Sequence, residues 1–319
     1  MKKKICVSLI MLITVGPYLS PKAHASIFTV QPRLETGLMY YSVERAAISE
    51  TTLPNAGETT GYNSGHEKNE FSDNMGFIGG GATFFRNRLF ADLSAQYAFD
   101  GSSRAQDSKF EYSEATNSFT DATGEYQGQF DRWDRAVSVG YALTRRFSIY
   151  AGYKWASTDM DAAIAGQASI LDIDNYVLNG HFSGEEDYQF EYEGPFVGLA
   201  NGWEIGHGCF FDGLISTKLA LAYLNSKLRL DQTGTLVIES INGSPIDPVI
   251  GPLDQQQTIK GTTWGLAFGL DWRGATQIGN LAYCIGISGY RYNFNSDDSL
   301  FSDISETSVI FKVGLSYVY

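Results

Sequence analysis

The chain has 319 residues, 43% of them hydrophobic, and its 36 acidic side chains exceed 23 basic ones, which gives a net charge of −13. This apolar content excludes an intrinsically disordered chain, and the acidic balance makes nucleic acid an unsuitable partner, because phosphate binding needs a basic surface. The 19 Tyr, 20 Phe and 34 Gly beside only 8 Pro predict an all-β protein, since aromatic residues favour strands and glycines let strands bend.

The first 25 residues have the features of a secretory signal peptide. Three lysines at positions 2–4 precede an apolar run over 5–15, and Ala23-His24-Ala25 provides the small-x-small pattern of a cleavage site. The run is shorter than the ~20 residues of a membrane-spanning helix. We therefore predict a signal peptide at residues 1–25 and one exported domain at 26–319, whose charge becomes −17 once four lysines leave with the signal.

Alternation of apolar and polar residues then marks a series of strands. In the third of them, Leu89, Leu93 and Tyr97 alternate with Asp92 and Gln96. The pattern predicts ten strands, at about 31–43, 71–85, 89–100, 127–143, 147–156, 188–201, 209–225, 258–272, 280–293 and 305–319. A count of eight or twelve strands remains an alternative, because the β-branched stretch 235–241 would either extend a hairpin or add two strands.

Three of these segments change the parity of their apolar face. The changes fall within 71–85, 188–201 and 280–293; a bend or a bulge would explain the first, and a bulge the second. The connections between strands alternate between short turns and long polar segments; the long ones lie at about 44–70, 101–126, 157–187, 226–257 and 295–303. Short turns on one side and long loops on the other are typical of membrane barrels with an even number of strands. Within one long segment, residues 162–178 are less polar and would form a plug or cover.

The final strand carries the most specific pattern. Apolar residues occupy the odd positions from Val309 onward, while Lys312 and Gly314 lie on the other face. Lys312-x-Gly314-x-x-Tyr317-x-Tyr319 resembles the closing-strand signal of Gram-negative bacterial outer-membrane β-barrels, and the resemblance covers eight residues. It implies a transmembrane antiparallel up-and-down β-barrel in the cell outer membrane. It also implies that Lys312, Gly314, Tyr317 and Tyr319 serve as an assembly signal for the general barrel-insertion machinery.

Aromatic residues near strand ends fit a barrel that contacts outer-membrane lipid. Spanning strands place such residues in two girdles at the edges of the bilayer. The predicted girdle residues are Trp133, Trp155, Trp264, Trp272, Tyr317 and Tyr319.

Charged residues recur on the opposite, inward face of the predicted strands. The predicted lumen-lining residues are Asp92, Asp134, Lys154, Asp212, Lys218, Asp271 and Lys312. In a narrow lumen these charges would either pair and fill the interior or line a wet path. The wet path predicts a small porin-like pore for ions or small solutes. The filled interior predicts a closed barrel that anchors long acidic loops, which would bind a partner as a surface or adhesion protein.

The sequence offers no arrangement suited to catalysis. The exported domain has three histidines, and no Ser–His pair can be drawn on adjacent outward faces. Ten-stranded outer-membrane proteases use an Asp pair facing an Asp-x-His element, whereas this chain has Ser64-Gly65-His66 and Asn179-Gly180-His181, with no Asp two positions before either histidine. We therefore expect a non-enzymatic protein without a cofactor.

The sequence likewise contains no clear pattern for a metal site or a disulfide. The segment 157–187 holds seven carboxylates and no Lys or Arg, but Asp172-x-Asp174 lacks the remaining pattern of a calcium loop. We expect no dedicated metal site, only divalent cations bound at solvated acidic loops. Cys209 and Cys284 lie on predicted strands with another strand between them, roughly 9–10 Å apart, which is too far for a disulfide. The sequence does not fix the oligomeric state.

Overall fold

The computed structural model shows an all-β chain. It describes residues 29–53, 61–113, 118–171, 177–205, 213–252, 254–275, 280–296 and 303–317. The strands are β1 (Thr29–Leu53), β2 (Gly61–Arg86), β3 (Leu89–Ser113), β4 (Ser118–Ala142), β5 (Phe147–Leu171), β6 (Val177–Ile205), β7 (Gly213–Ile241), β8 (Ser244–Pro252), β9 (Gln255–Ala275), β10 (Leu281–Ser296) and β11 (Asp303–Tyr317). Within the described residues, no helix has the length and apolarity needed to cross a membrane.

The strands pair in one closed antiparallel ring. β1 to β7 pair in sequence, β7 pairs with β9, and β9, β10 and β11 follow in order. The ring closes because β11 pairs with β1, from Arg33 opposite Ser316 to Ala46 opposite Asp303. β8 pairs with β7 in the same register as β9, from Gln232 opposite Gln255 to Thr235 opposite Pro252, so it continues the line of β9 at the distal end as the second arm of a hairpin. This strand is the hairpin extension that the sequence left open for residues 235–241.

Tight turns join several strands. Asn87, with a φ of 56°, lies in the two-residue turn between β2 and β3, and Thr144–Phe147 connects β4 to β5. These turns lie at the end of the barrel that also holds Thr29 and Tyr317, here called the terminal end. The β7–β8 hairpin at the distal end turns at Asn242-Gly243, where both φ angles are positive, 52° and 74°. Asn-Gly is the preferred pair for such a turn.

The polarity of the barrel wall inverts along its length. Near the terminal end of β7, Leu219 and Leu221 are exposed on the outer face. Further along the same strand, Leu224, Leu228 and Leu230 are buried, and their even positions place them on the inner face. The strand segments beyond Trp155 and Trp264, here called the distal extension, therefore have an apolar interior and a polar exterior.

This inversion corrects the prediction of long loops. Strands occupy most of 44–70, 101–126, 157–187 and 226–257. Residues 162–171 lie in β5 and 177–178 in β6, so the proposed plug is wrong for these parts of 162–178. The sequence argument looked for apolar residues on the outer face, and the distal extension carries them on the inner face instead.

The bulge proposed for 188–201 is also wrong. The register between β5 and β6 runs unbroken across Gly194-Pro195, and β10 pairs continuously with both neighbours. In these strands the apolar residues change face because the outer face of the wall is apolar near the terminal end and polar in the distal extension. The strand at 71–85 pairs continuously with β1. A bulge does lie in the neighbouring strand β3: its pairing with β4 shifts between Ala98 and Gly101, and its pairing with β2 shifts between Lys68 and Gly76.

Candidate functional site: the filled lumen

A buried polar network crosses the middle of the barrel. Arg132 of β4 is fully buried and forms an ion pair with Glu306 of β11, on the far side of the ring. The same guanidinium donates to Thr158 of β5 at 2.6 Å and to Asp134 at 2.9 Å. Tyr192 of β6 donates to Glu306 at 2.7 Å. Side chains from four strands therefore meet at one point inside the ring.

Aromatic rings and a second ion pair complete this central layer. The Arg132 guanidinium lies over the rings of Tyr41, Tyr192 and Tyr290, at 5.3, 5.3 and 4.9 Å from their centroids. Lys154 pairs with Asp134 at 2.7 Å and lies 4.6 Å from the centre of the Tyr290 ring. Two cations thus balance two carboxylates, the arrangement that buried charges need to offset their loss of hydration.

Apolar side chains fill the barrel on the distal side of the central layer. Phe190 of β6 meets Phe294 of β10 edge to face, with ring centres 5.6 Å apart. Leu228, Ile259 and Ile304 are almost completely buried in the same cluster. Since these side chains come from both sides of the ring, they occupy the cross-section of the distal extension.

A second charged cluster lies toward the terminal end. Arg33 of β1 forms a bidentate pair with Asp92 of β3, at 2.7 and 2.9 Å. Lys312 of β11 lies 2.9 Å from Asp271 of β9 and 3.7 Å from Glu35. The pairs of Arg33 with Asp92 and of Lys312 with Asp271 join strands that are not neighbours in the ring, so these side chains meet inside it.

The predicted lumen residues fall into three groups. Asp134 and Lys154 belong to the central layer, and Asp92, Asp271 and Lys312 belong to the terminal cluster. Lys218 is exposed at an inward position of β7 and has no ion pair within 4 Å among the described residues. Asp212 lies outside the described residues. Whether any of these residues lines a conducting path stays a prediction.

Sequence reasoning missed the residues at the centre of the network. Arg132 lies two positions before Asp134, and Glu306 lies six before Lys312, so each shares the inward face of its strand. Arg33 and Glu35 alternate in the same way on β1. Counting charges by parity would have found them: Arg132 lies inside the predicted strand 127–143, and Glu306 lies at the start of the predicted strand 305–319, close to a segment interpreted as a loop.

The predicted girdle residues lie at the two ends of the exposed apolar belt. Trp155 and Trp264 are exposed at the distal edge, and each lies 4.8 Å from a tyrosine ring. Trp133 lies 4.5 Å from Tyr97 in the same band. At the terminal edge, Trp272 packs against Tyr283 at 5.0 Å and Tyr317 is exposed. Tyr319 lies outside the described residues.

The remaining residues of the assembly signal lie in β11. Lys312 takes part in the terminal cluster, and a Cβ atom at Gly314 would come within 2.5 Å of the Leu34 carbonyl oxygen. The backbones of β11 and β1 can approach there only because residue 314 has no side chain. The role of this motif in assembly stays a prediction.

The candidate catalytic and metal-binding residues do not converge. His181 lies on an exposed face, with Nδ1 3.3 Å from Glu239. The side chain of His66, all of His207 and Cys209 fall outside what the structure describes, and Cys284 is buried and free. The described part of the chain contains no group of three His, Cys, Asp or Glu side chains that could hold a metal ion.

A closed antiparallel ring with an apolar outer belt and a paired, charged interior defines the class of transmembrane β-barrels. No protein-family model and no curated protein sequence matches the chain. Among solved structures, the outer membrane protease OmpT from Escherichia coli matches with a TM-score of 0.52 at 9% identity, covering 91% of this chain and 97% of that chain. The transport unit of the Escherichia coli autotransporter AIDA-I matches with a TM-score of 0.25 at 9% identity, covering 94% and 93%. A Pseudomonas aeruginosa FadL homologue matches with a TM-score of 0.22 at 10% identity, covering 92% and 90%.

The likeness to OmpT shows the fold of this chain. It is the fold of a Gram-negative outer-membrane β-barrel, the class that the closing-strand pattern predicted. The exposed apolar belt is the surface that such a barrel presents to the lipid of the cell outer membrane. In such barrels the short turns lie on the periplasmic side, which would place the terminal end there and the distal extension outside the cell.

Proposed function

We propose that this protein is a closed outer-membrane barrel that anchors a rigid, β-structured binding surface outside the cell. The observation that carries this proposal is the central layer, in which the fully buried Arg132 and Glu306 join opposite sides of the ring. The apolar filling of the distal extension gives further support. Opening a path here would require separating a buried ion pair, which costs several kcal/mol.

The proposal favours the surface protein over the porin-like pore. The features that would suit a pore are confined to the periplasmic side, where Lys218 is exposed on the inner face. Water reaching Lys218 would meet the central layer before it reached the cell exterior. That half of the lumen is a periplasmic vestibule in this proposal.

Conductance across a planar lipid bilayer tests the closed barrel. The mature chain, refolded in detergent and checked for heat-dependent migration on a gel, should give no discrete current steps, while a porin measured in parallel should give them. Steps from the refolded chain that lose ion selectivity in Lys218→Gln but keep it in Arg145→Gln would overturn the proposal. Arg145 is the matched control because its side chain is exposed in a periplasmic turn.

We also propose that the protein is not an enzyme. His181, the histidine whose side chain the structure describes, contacts Glu239 on the exposed face and points away from the filled lumen. The protease activity in the name of OmpT is a property of that protein. Incubation of the refolded chain with a fluorogenic peptide library should give no cleavage above a heat-unfolded control, and cleavage that disappears in His181→Ala or His66→Ala would contradict this view.

A further inference from the structure

An outward-facing groove of about 780 Å³ crosses the barrel wall over β4, β5, β6, β7 and β9. Two indoles, of Trp133 and Trp155, form one part of its lining. The charged side chains that line it are Arg135, Glu191, Glu193, Lys227 and Lys260. The groove therefore combines flat apolar rings with cations and hydrogen-bond acceptors.

The groove lies at the distal edge of the apolar belt. Directly below it on β7 and β9 come Tyr223, Leu221 and Trp264, all exposed. Above it the outer face becomes polar, with Asp159 and Asp231 lining the next depression along the wall. Aromatic girdles mark the boundary between acyl chains and headgroups, so the groove is at the level of the outer-leaflet headgroups.

Two lysines in the groove face each other across β7 and β9, while Glu191 of β6 lies opposite Lys227 on its other side without forming an ion pair within 4 Å. Lys227 of β7 lies directly opposite Lys260 of β9 in the strand register, and like charges in this position destabilise a sheet. Neither ammonium forms an ion pair within 4 Å among the described residues, and neither does the Arg135 guanidinium, which lies 5.3 Å from the centre of the Trp133 ring. An anion held by both lysines would remove this repulsion.

We propose that the groove binds the phosphorylated sugar headgroup of an outer-leaflet glycolipid, with phosphate between Lys227 and Lys260. Charge-assisted hydrogen bonds from lysine suit a phosphate oxygen. The carboxylates of Glu191 and Glu193 repel phosphate but accept hydrogen bonds from sugar hydroxyls, which favours a headgroup with both groups over a simple phospholipid. The indoles of Trp133 and Trp155 supply apolar faces for the sugar rings. This inference rests on the outer-membrane location and not on whether the lumen is closed.

Native mass spectrometry of the full mature chain in detergent tests the site. The probes are a phosphorylated diglucosamine lipid and the same lipid without phosphate. The wild-type chain should retain the phosphorylated lipid about tenfold or more better than Lys227→Gln/Lys260→Gln, since losing two charged hydrogen bonds costs at least the equivalent of one decade in affinity. Arg145→Gln/Arg146→Gln removes two exposed periplasmic cations and should bind as the wild type does.

Three results would overturn the proposal. These are equal retention by the lysine variant, equal retention of the lipid without phosphate, and complete displacement of the lipid by millimolar inorganic phosphate, which would make free phosphate the ligand. Heat-dependent gel migration establishes that each variant is folded before it is scored. Conductance of the same samples is measured separately, because current steps bear only on the closed-barrel proposal. A variant that loses lipid binding should still give no current steps.

Discussion

The membrane-spanning half of this barrel and its distal extension use the same strands with opposite polarity. On β7, Leu221 is 56% exposed on the outer face, and Leu228, seven residues further, is 1% exposed on the inner face. The outer face at Leu221 contacts lipid, whereas the outer face of the wall at Leu228 contacts water. The strand keeps its geometry throughout, so the solvent outside the wall alone decides which face carries the apolar residues.

This contrast explains how two kinds of interior coexist in one lumen. Inside the membrane belt the outer face supplies the apolar contact, and the interior can hold ion pairs such as Arg33 with Asp92. In the distal extension the interior must itself supply the burial that stabilises a water-soluble sheet. The central layer around Arg132 lies where the two interiors meet, which is why it combines ion pairs with tyrosine rings.

The largest expected effect comes from breaking the central layer on one side. Arg132→Met should destabilise the barrel by about 3–5 kcal/mol, because it leaves the Glu306 carboxylate buried without its cation. Urea unfolding followed by gel migration measures the loss. The double variant Arg132→Met/Glu306→Met should recover much of it, and a double variant as unstable as the single one would show that the pair is not the cause.

Truncation of matched leucines on β7 separates the two halves. Leu228→Ala should cost about 2–5 kcal/mol, since it leaves a cavity in a packed interior. Leu221→Ala should cost clearly less, because lipid chains fill the space it leaves. Equilibrium unfolding of both variants in lipid vesicles makes the comparison, and equal losses would contradict the inverted polarity.

A charge on the outer face sharpens the position of the boundary. Leu221→Arg should destabilise the barrel by up to about 2–4 kcal/mol, the cost of a cation on a lipid-facing strand near the bilayer midplane. Thr233→Arg, twelve positions along the same strand and also exposed, should change stability by less than ~0.5 kcal/mol. A large loss at residue 233 would mean that the bilayer covers the extension as well.

The smallest expected effect concerns the acidic exterior of the extension. Burial raises the pKa of Asp159, and the nearby carboxylates of Glu191, Asp131 and Asp161 raise it further, against a hydrogen bond with Gln189 that lowers it. The ionised form is therefore less favourable in the folded state than in the unfolded chain. Asp159→Asn should stabilise the protein at pH 7 by ~0.5 kcal/mol or less, because solvent screens this exposed group.

The sign of this effect gives it a specific pH dependence. As the pH falls through the raised pKa of folded Asp159 toward its ordinary value of 3.8, the carboxyl takes up its proton preferentially in the folded state. The advantage of Asp159→Asn over the wild type should therefore shrink across that window. Unfolding curves of both proteins between pH 7 and pH 4 measure the difference, and an advantage that grows on acidification would contradict the assignment.

The sequence predicted the barrel class well because its evidence was local. The period-two alternation around Leu221, Trp264 and Val313 depends only on neighbours along a strand, and so does the pattern that ends at Tyr319. The distal extension was interpreted as loops because alternation alone does not reveal what surrounds a wall. Thr158, Met160 and Ala162 alternate with polar residues as regularly as any membrane segment.

The partners inside the lumen were harder to predict for a different reason. Arg132 and Glu306 are 174 positions apart and meet across the ring. Their pairing depends on the register of the strands between them and on the bulge after Ala98, which shifts β3 by one residue. Parity could show which charges faced inward, but only the closed ring shows which of them meet.

The hairpin arm β8 bears on how such barrels remain separate when many of them lie side by side. Its pairing is with β7, while Val249 and Ile250 are exposed at 59% and 68%. A free strand with apolar side chains invites a neighbouring molecule to add to its edge. Three of its nine residues are prolines, at 245, 248 and 252, and a proline has no backbone N–H with which to hold an added strand. The strand therefore carries its own protection against polymerisation between barrels.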